Sequence, residues 1–212
     1  MPMKKDDIYE FFKRLHEKNP EPKSDLEYTN NYTLLVAVTL SAQATDKGVN
    51  KATKELFKIA DTPQKMMDLG IDRLKEYIKT IGLYNNKAKN IMAMADILVR
   101  DYDGKVPGTR EDLMKLPGVG RKTANVVLNV AFHQPTMAVD THIFRVSNRT
   151  ELAAGKNPDT VEQNLLKVVP DEFAMHAHHW LILLGRYTCK ARKPECAACP
   201  VYDLCQYKDK TA

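Results

Sequence analysis

In TREDLMKLPGVGRKTANVVLNVAF, residues 109–132, two helical patterns meet at a pair of glycines. Thr109 and Asp112 are spaced as a capping box that opens a short helix. Pro117 and Gly118 must stop it, because proline disfavours helical geometry in the residue before it and glycine tolerates positive φ. Gly118-Val119-Gly120 then predicts a tight hairpin. Beyond it Ala124, Val127, Leu128 and Ala131 recur at helical spacing, and the first turn of that second helix carries Arg121 and Lys122. A helix, a glycine hairpin and a helix leave bare backbone N–H groups and a helix N-terminus facing outward. Such a surface holds a phosphate without reading bases. The plainer reading of the same residues is an αα-hairpin in which the glycines only turn the chain and Lys122 is a solvated lysine.

Helical periodicity extends on both sides of the hairpin. Ile8, Phe11, Phe12 and Leu15 repeat at i, i+3, i+4, i+7, and Ala88, Ile91, Met92, Ala95, Leu98 and Val99 do so further along. The same pattern predicts helices near 31–43, 48–60, 63–69, 71–79, 121–133, 141–150, 158–168 and 172–187, with polar connections at Tyr84-Asn85-Asn86 and Asp101-Tyr102-Asp103-Gly104. No segment alternates as a strand would, so the fold class is all-α. Breaks at Asn19-Pro20-Glu21-Pro22 and His133-Gln134-Pro135 divide the chain into blocks 1–22, 23–134 and 135–212. Periodicity does not say which block the first one packs against.

The 212 residues carry 32 Lys+Arg and 27 Asp+Glu, a net +5, with 43% apolar residues. This is a globular composition, and its apolar runs of five residues are far below the ~20 that span a bilayer. The N-terminus mixes charge with aromatics and lacks a signal peptide's apolar stretch, so a cytosolic or nucleoid location is expected. The charge is unevenly placed. From Lys115 to Arg149 there are five basic residues (Lys115, Arg121, Lys122, Arg145, Arg149) and one acidic (Asp140), a net +4. That is the footprint expected of a nucleic-acid partner.

All four cysteines, Cys189, Cys196, Cys199 and Cys205, fall in one short segment with the spacing C-x6-C-x2-C-x5-C. A disulfide framework would spread them along the chain, so they form a ligand cluster. Structural zinc usually takes two C-x2-4-C units, and only one is present. Between the first two cysteines, Lys190, Arg192 and Lys193 place three cations on a loop pinned at both ends, which lowers the entropy cost of presenting them to phosphate.

A few polar and exposed-type residues stand apart from the core pattern. Asp140 is placed as an N-cap, with Val139 and Phe144 spaced as a hydrophobic staple. Gln43 follows an apolar run and reads as a solvated or capping residue. Leu83 would count as core but for the glycine before it and the polar residues after it, which suggest a loop. His142 lies in a first turn, where it could donate to phosphate or serve as a structural histidine. His176, His178 and His179 lack the spacing and carboxylate neighbours of a metal site and read as packing residues.

The strings LPGVGRKTANVVLN at 116–129 and VDTHIFRV at 139–146 resemble the helix-hairpin-helix and following aspartate of the DNA glycosylase superfamily, specifically its endonuclease III family. LLVAVTLSAQATD at 34–46, YIKTIGLYN at 77–85 and HHWLILLGRYTCKARKPEC at 178–196 extend the resemblance over nearly the whole chain. It implies two helical domains with a DNA-binding cleft between them: 23–134 as a helical barrel with the hairpin, and 1–22 plus 135–212 as an iron–sulfur domain. It implies a 4Fe-4S cluster on the four cysteines, and a monomer acting on duplex DNA that contains damaged pyrimidines or abasic sites. Lys122 is implied as the nucleophile and Asp140 as the catalytic aspartate. Gly118, Gly120, Arg121, Gln43, Leu83, His142, Arg145, Arg192 and Lys193 are implied as DNA-binding, with Gln43 and Leu83 entering the duplex beside the flipped nucleotide.

An amine that attacks a sugar C1′ must be neutral. Lys122 lies beside Arg121 at the positive end of a helix dipole, which disfavours a further positive charge. The implied activity is therefore that of a bifunctional glycosylase and abasic-site lyase acting through a lysine Schiff base. Adenine-specific mismatch glycosylases of the same superfamily typically lack this lysine. A non-catalytic DNA-binding or redox-sensing module is the alternative from another class.

Overall fold

The computed structural model describes residues 2–211, and among these every regular element is helical. The α-helices are α1 (Lys5–Lys18), α2 (Asn31–Leu40), α3 (Asp46–Ile59), α4 (Pro63–Leu69), α5 (Ile71–Ile78), α6 (Tyr84–Tyr102), α7 (Arg110–Leu113), α8 (Arg121–Phe132), α9 (Thr141–Thr150), α10 (Pro158–Val168) and α11 (Asp171–Leu183). A π-helical turn, Leu184–Thr188, continues α11, and a 3₁₀ turn follows at Cys196–Ala198. None of these helices is long and apolar enough to cross a membrane. The chain forms two compact units, Ser24–His133 and the union of Met1–Lys23 with Gln134–Ala212.

In the unit Ser24–His133 the helix α2 is the hub. From Tyr32 to Leu40 every residue is buried, as an all-round apolar helix requires. Its ends still need polar partners. Asn30 caps the start in a reciprocal box with Thr33. The neighbours of α2 bury one stripe each: Val49, Ala52 and Leu56 of α3, Ala88, Ile91, Met94, Ala95 and Leu98 of α6, and Ala124, Val127 and Leu128 of α8, while Leu74 and Ile78 of α5 join the same core against α3 and α6. Truncating a fully buried residue such as Leu35 to alanine costs about 2–5 kcal/mol.

In the other unit α1 lies against α11. Phe12 and Phe173 stack with ring centroids 6.2 Å apart, and Trp180 Nε1 donates to the Asn19 carbonyl at 2.8 Å. Arg14 adds a bond to Asp203 at 2.6 Å. The first helix of the chain therefore packs with the last.

Several sequence expectations are corrected in detail. Helix α2 ends at Leu40 rather than 43, because the chain reverses through Ser41 to Ala44 and Gln43 takes a left-handed φ of 56°. Tyr84-Asn85-Asn86 is the first turn of α6, not a connection, because left-handed Leu83 starts the helix directly after Gly82. Thr109 caps α7 by accepting from Asp112 N at 3.2 Å, but the return half of the capping box is absent among the described residues. The Asp112 carboxylate instead takes the Thr109 hydroxyl and the Lys115 ammonium, since an aspartate is one carbon short of the usual glutamate. The helix expected over 172–187 changes to a π-helical turn at Leu184.

Candidate functional site

The hairpin region is built by two glycines with different tasks. Gly118 has φ +81°, and a Cβ there would sit 3.0 Å from Asn90 Nδ2 and 3.2 Å from Thr39 Cγ2. Helices α2 and α6 thus form the seat of the turn. Gly120 has an ordinary φ of −89° and nothing within 4 Å of a built Cβ. It is the N-cap of α8 without a capping side chain, so the first-turn N–H groups of α8 stay open to a phosphate. Arg110 Nε donates to Asn125 Oδ1 at 2.9 Å, tying α7 to α8 across the hairpin. Arg121 and Lys122 are exposed, and Lys122 Nζ has no hydrogen bond or ion pair among the described residues.

Gln43 and Leu83 belong to the same unit as the hairpin. Both are exposed, Leu83 to 59%, and both adopt left-handed φ values of 56° and 60°. A leucine neither buried nor in an ordinary backbone region is costly, about 1–3 kcal/mol for the backbone alone. Such strain persists only where the surroundings impose it. Here the tightly packed α2 and α6 do so from either side.

Asp140 belongs to the other unit. It is the N-cap of α9, and its Oδ1 alone accepts both first-turn bonds, from His142 N at 2.9 Å and Ile143 N at 2.8 Å. Oδ2 has no partner among the described residues. Val139 is buried and Phe144 packs against the same core, which is the staple that the spacing predicts. Upstream, the buried His178 accepts from Ala138 N at 3.3 Å through Nδ1, steadying the segment that delivers Asp140.

Two arginines of α9 face the cysteine segment. The Arg145 guanidinium donates to Cys189 O at 2.9 Å and Gly185 O at 2.7 Å, and lies 3.1 Å from His142 Nδ1. Its donors are thereby largely engaged within the unit, and the His142 ring is held with them. Arg149, one turn on, donates to Lys190 O at 2.7 Å, Ala191 O at 3.0 Å and Cys189 Sγ at 3.6 Å, and lies over the Tyr207 ring. In the sequence Arg149 reads only as charge. Its i, i+4 relation to Arg145 is the signal that could have paired them on one face.

The four cysteines are half-buried, unbridged, and line one small cavity together with Leu184, Val201 and Tyr207. Among the described residues no three His, Cys, Asp or Glu side chains close on a single-ion position. Four thiols gathered on one cavity are the donor set that a polynuclear iron–sulfur group takes. Burial pushes the Cys199 and Cys205 thiols above the usual range, and the neighbouring cysteines add to it. The π-helical turn aims Cys189 into the cavity. Its N–H reaches back to Leu184 O at 2.7 Å, and Gly185 lies so close to His142 that an added Cβ would be 2.8 Å from its Cβ. Of the loop cations, Lys190 pairs with Glu195, while Arg192 and Lys193 are exposed and unpaired among the described residues.

Residues 36–171 match the family model of the HhH-GPD superfamily base excision DNA repair proteins, and residues 189–205 match that of the iron–sulfur binding domain of endonuclease III. The chain is 61% identical to endonuclease III of Haemophilus influenzae over 98% of its own length and 99% of that protein. It is 59% identical to that of Escherichia coli strain K12 over 95% of each. Among solved structures, a trapped endonuclease III–DNA covalent intermediate superposes with a TM-score of 0.89 at 44% identity, covering 96% of both chains. The chain belongs to the endonuclease III family, within the HhH-GPD superfamily of base excision DNA repair proteins.

Proposed function

We propose that the protein removes oxidised or ring-saturated pyrimidines from duplex DNA and then cleaves the strand 3′ to the abasic site by β-elimination, with Lys122 as nucleophile and Asp140 as its catalytic partner. The neutral Nζ attacks C1′ and the N-glycosidic bond breaks, its electron pair leaving with the base, which takes up a proton. The sugar ring then opens as C1′–O4′ breaks, O4′ is protonated, and C1′ is left as a Schiff base on Lys122. Loss of a C2′ proton forms the C2′–C3′ double bond and expels the 3′ phosphate. Water releases the lysine. Positive charge grows on the sugar in the first step, and the unshared Oδ2 of Asp140 is the carboxylate oxygen left over to stabilise it and to move protons.

The observation that carries this reading is the exposed Lys122 Nζ, unpartnered among the described residues, in the first turn of α8 and two residues after a glycine with no side chain to block a phosphate. On the same reading Gly118, Gly120 and Arg121 hold the strand, Gln43 and Leu83 occupy the space left by the flipped nucleotide, and Arg192 and Lys193 add phosphate contacts. In this reading residues 23–134 form the barrel domain, and 1–22 with 135–212 form the iron–sulfur domain. Cys189, Cys196, Cys199 and Cys205 hold a 4Fe-4S cluster, which supplies the cross-links that a segment this poor in buried apolar residues needs in order to fold. Four thiols that must stay reduced for iron support a cytosolic location in this reading.

Borohydride trapping on a duplex with one abasic site tests the assignment. The wild-type chain gives a covalent adduct, and Lys122→Gln gives none while keeping duplex affinity. An undiminished adduct in the variant would make another amine the nucleophile.

A further inference from the structure

Lys87 lies in the first turn of α6 and is only 6% exposed, with no carboxylate partner among the described residues. A buried ammonium without a counter-ion is costly, and burial accordingly holds its pKa below the ordinary lysine range. Its Nζ donates to Leu40 O at 2.9 Å. Leu40 ends α2, so this carbonyl has no partner within its own helix, and a cation there also meets the negative end of the helix dipole. Three residues further on stands Gln43. On the other side, the backbone N–H of Lys87 donates to Leu83 O at 3.1 Å, closing the first turn behind left-handed Leu83. One residue therefore bonds through its side chain to the end of the helix that presents Gln43, and through its backbone to Leu83.

We propose that Lys87 is a positioning residue, fixing the turn of Gln43 and the turn of Leu83 in register so that both enter the duplex together. The inference rests on the reading, given above, that these two side chains enter the duplex. Lys87→Met would keep the packed stem and remove the tie to Leu40 O. The turn after α2 would then keep the Ser41 bonds to Ala37 O and Val38 O and the Ala44 N–H bond to Ser41 O, but no hydrogen bond from α6 among the described residues would hold its end, and the span between the two turns would loosen.

The test compares Lys87→Met with wild type, Leu83→Ala, Gln43→Ala and the combinations with Lys87→Met, all iron-loaded. Two signals are read on a duplex carrying one oxidised pyrimidine: the single-turnover excision rate, and the fluorescence of a 2-aminopurine beside the lesion, which reports unstacking. Lys87→Met is expected to lower excision roughly 10- to 100-fold, as a small misplacement of positioning groups does, and to quench the unstacking signal. Cleavage of a single-stranded abasic oligonucleotide, which offers no stack to enter, stays unchanged. In the Leu83→Ala, Gln43→Ala background the Lys87 substitution should add little, because residues acting through one another are non-additive. An equal loss in both backgrounds, or unchanged unstacking, overturns the proposal. If Leu83→Ala and Gln43→Ala themselves leave excision and unstacking at wild-type level, the reading of their entry fails first, and the inference with it. Should the methionine variant fail to fold, Lys87→Gln, shorter and uncharged, is read by the same two signals with the same consequences.

Discussion

Asp140 bonds two backbone N–H groups with one oxygen, so its capping and chemical roles can be separated by substitution. Asn caps as well as Asp, so Asp140→Asn should leave unfolding nearly unchanged while lowering the single-turnover rate by roughly 10²-fold or more. Asp140→Ala should lose the rate and also about 0.5–2 kcal/mol of stability. A wild-type rate in the asparagine variant would leave Asp140 only a cap. The hairpin glycines separate in the opposite sense. At Gly118 a methyl group meets Asn90 and Thr39 in a left-handed backbone, so Gly118→Ala should destabilise by more than about 1 kcal/mol. At Gly120 a methyl group meets nothing in the protein, so Gly120→Ala should unfold like wild type yet bind duplex DNA more weakly, because the methyl stands where a phosphate approaches. Equal effects of the two in denaturant titrations would contradict this division. In the sequence the place of Gly118 after Pro117 already points to a positive φ, but the side chains that crowd it and the open surroundings of Gly120 could not be read there.

At the scale of elements, α9 joins Asp140 at its N-terminus to the start of the cysteine segment through Arg145 and Arg149. Of the apolar residues between Cys189 and Cys205, only Val201 is fully buried, so the segment depends on its ligand and on those arginines for its shape. Cys199→Ser should therefore lose iron, misplace Arg192 and Lys193, weaken binding across all DNA sequences and make its salt dependence shallower. An unchanged salt slope in iron-free protein would show that the cluster does not position these cations. The raised thiols of Cys199 and Cys205 set the direction of a second effect. At neutral pH they hold their protons, which iron must displace, so iron occupancy after reconstitution should rise as pH rises toward and past the ordinary thiol range and fall in acid. A flat occupancy across that pH series would count against it. The spacing of the cysteines was legible in the sequence, but the π-helical turn was not, apart from a lone glycine in a helical run at Gly185. A π turn depends on the approach of α9, which no local pattern encodes.

Across the whole molecule, the sequence by itself determined that the chain is helical, where most helices run, that a glycine hairpin precedes a lysine, and that four cysteines form one ligand group. These features are local. Caps, periodicity and turn chemistry act within a few residues, and α4, α9 and α10 have the bounds that their patterns predict. Only the tertiary structure decided that Met1–Lys23 packs with Gln134–Ala212, because an apolar stripe identifies a face to be buried but not the face that buries it. The same limit applies to single side chains. Arg145 and Arg192 look alike as basic residues in matching motifs, yet one is bound to carbonyls of its own unit and the other is exposed, with no partner among the described residues. Lys87 reads as an ordinary surface lysine at the start of a helix until α2 is seen to end at its ammonium. Which partner a polar group finds is set by how distant segments pack, and that packing is a property of the folded chain.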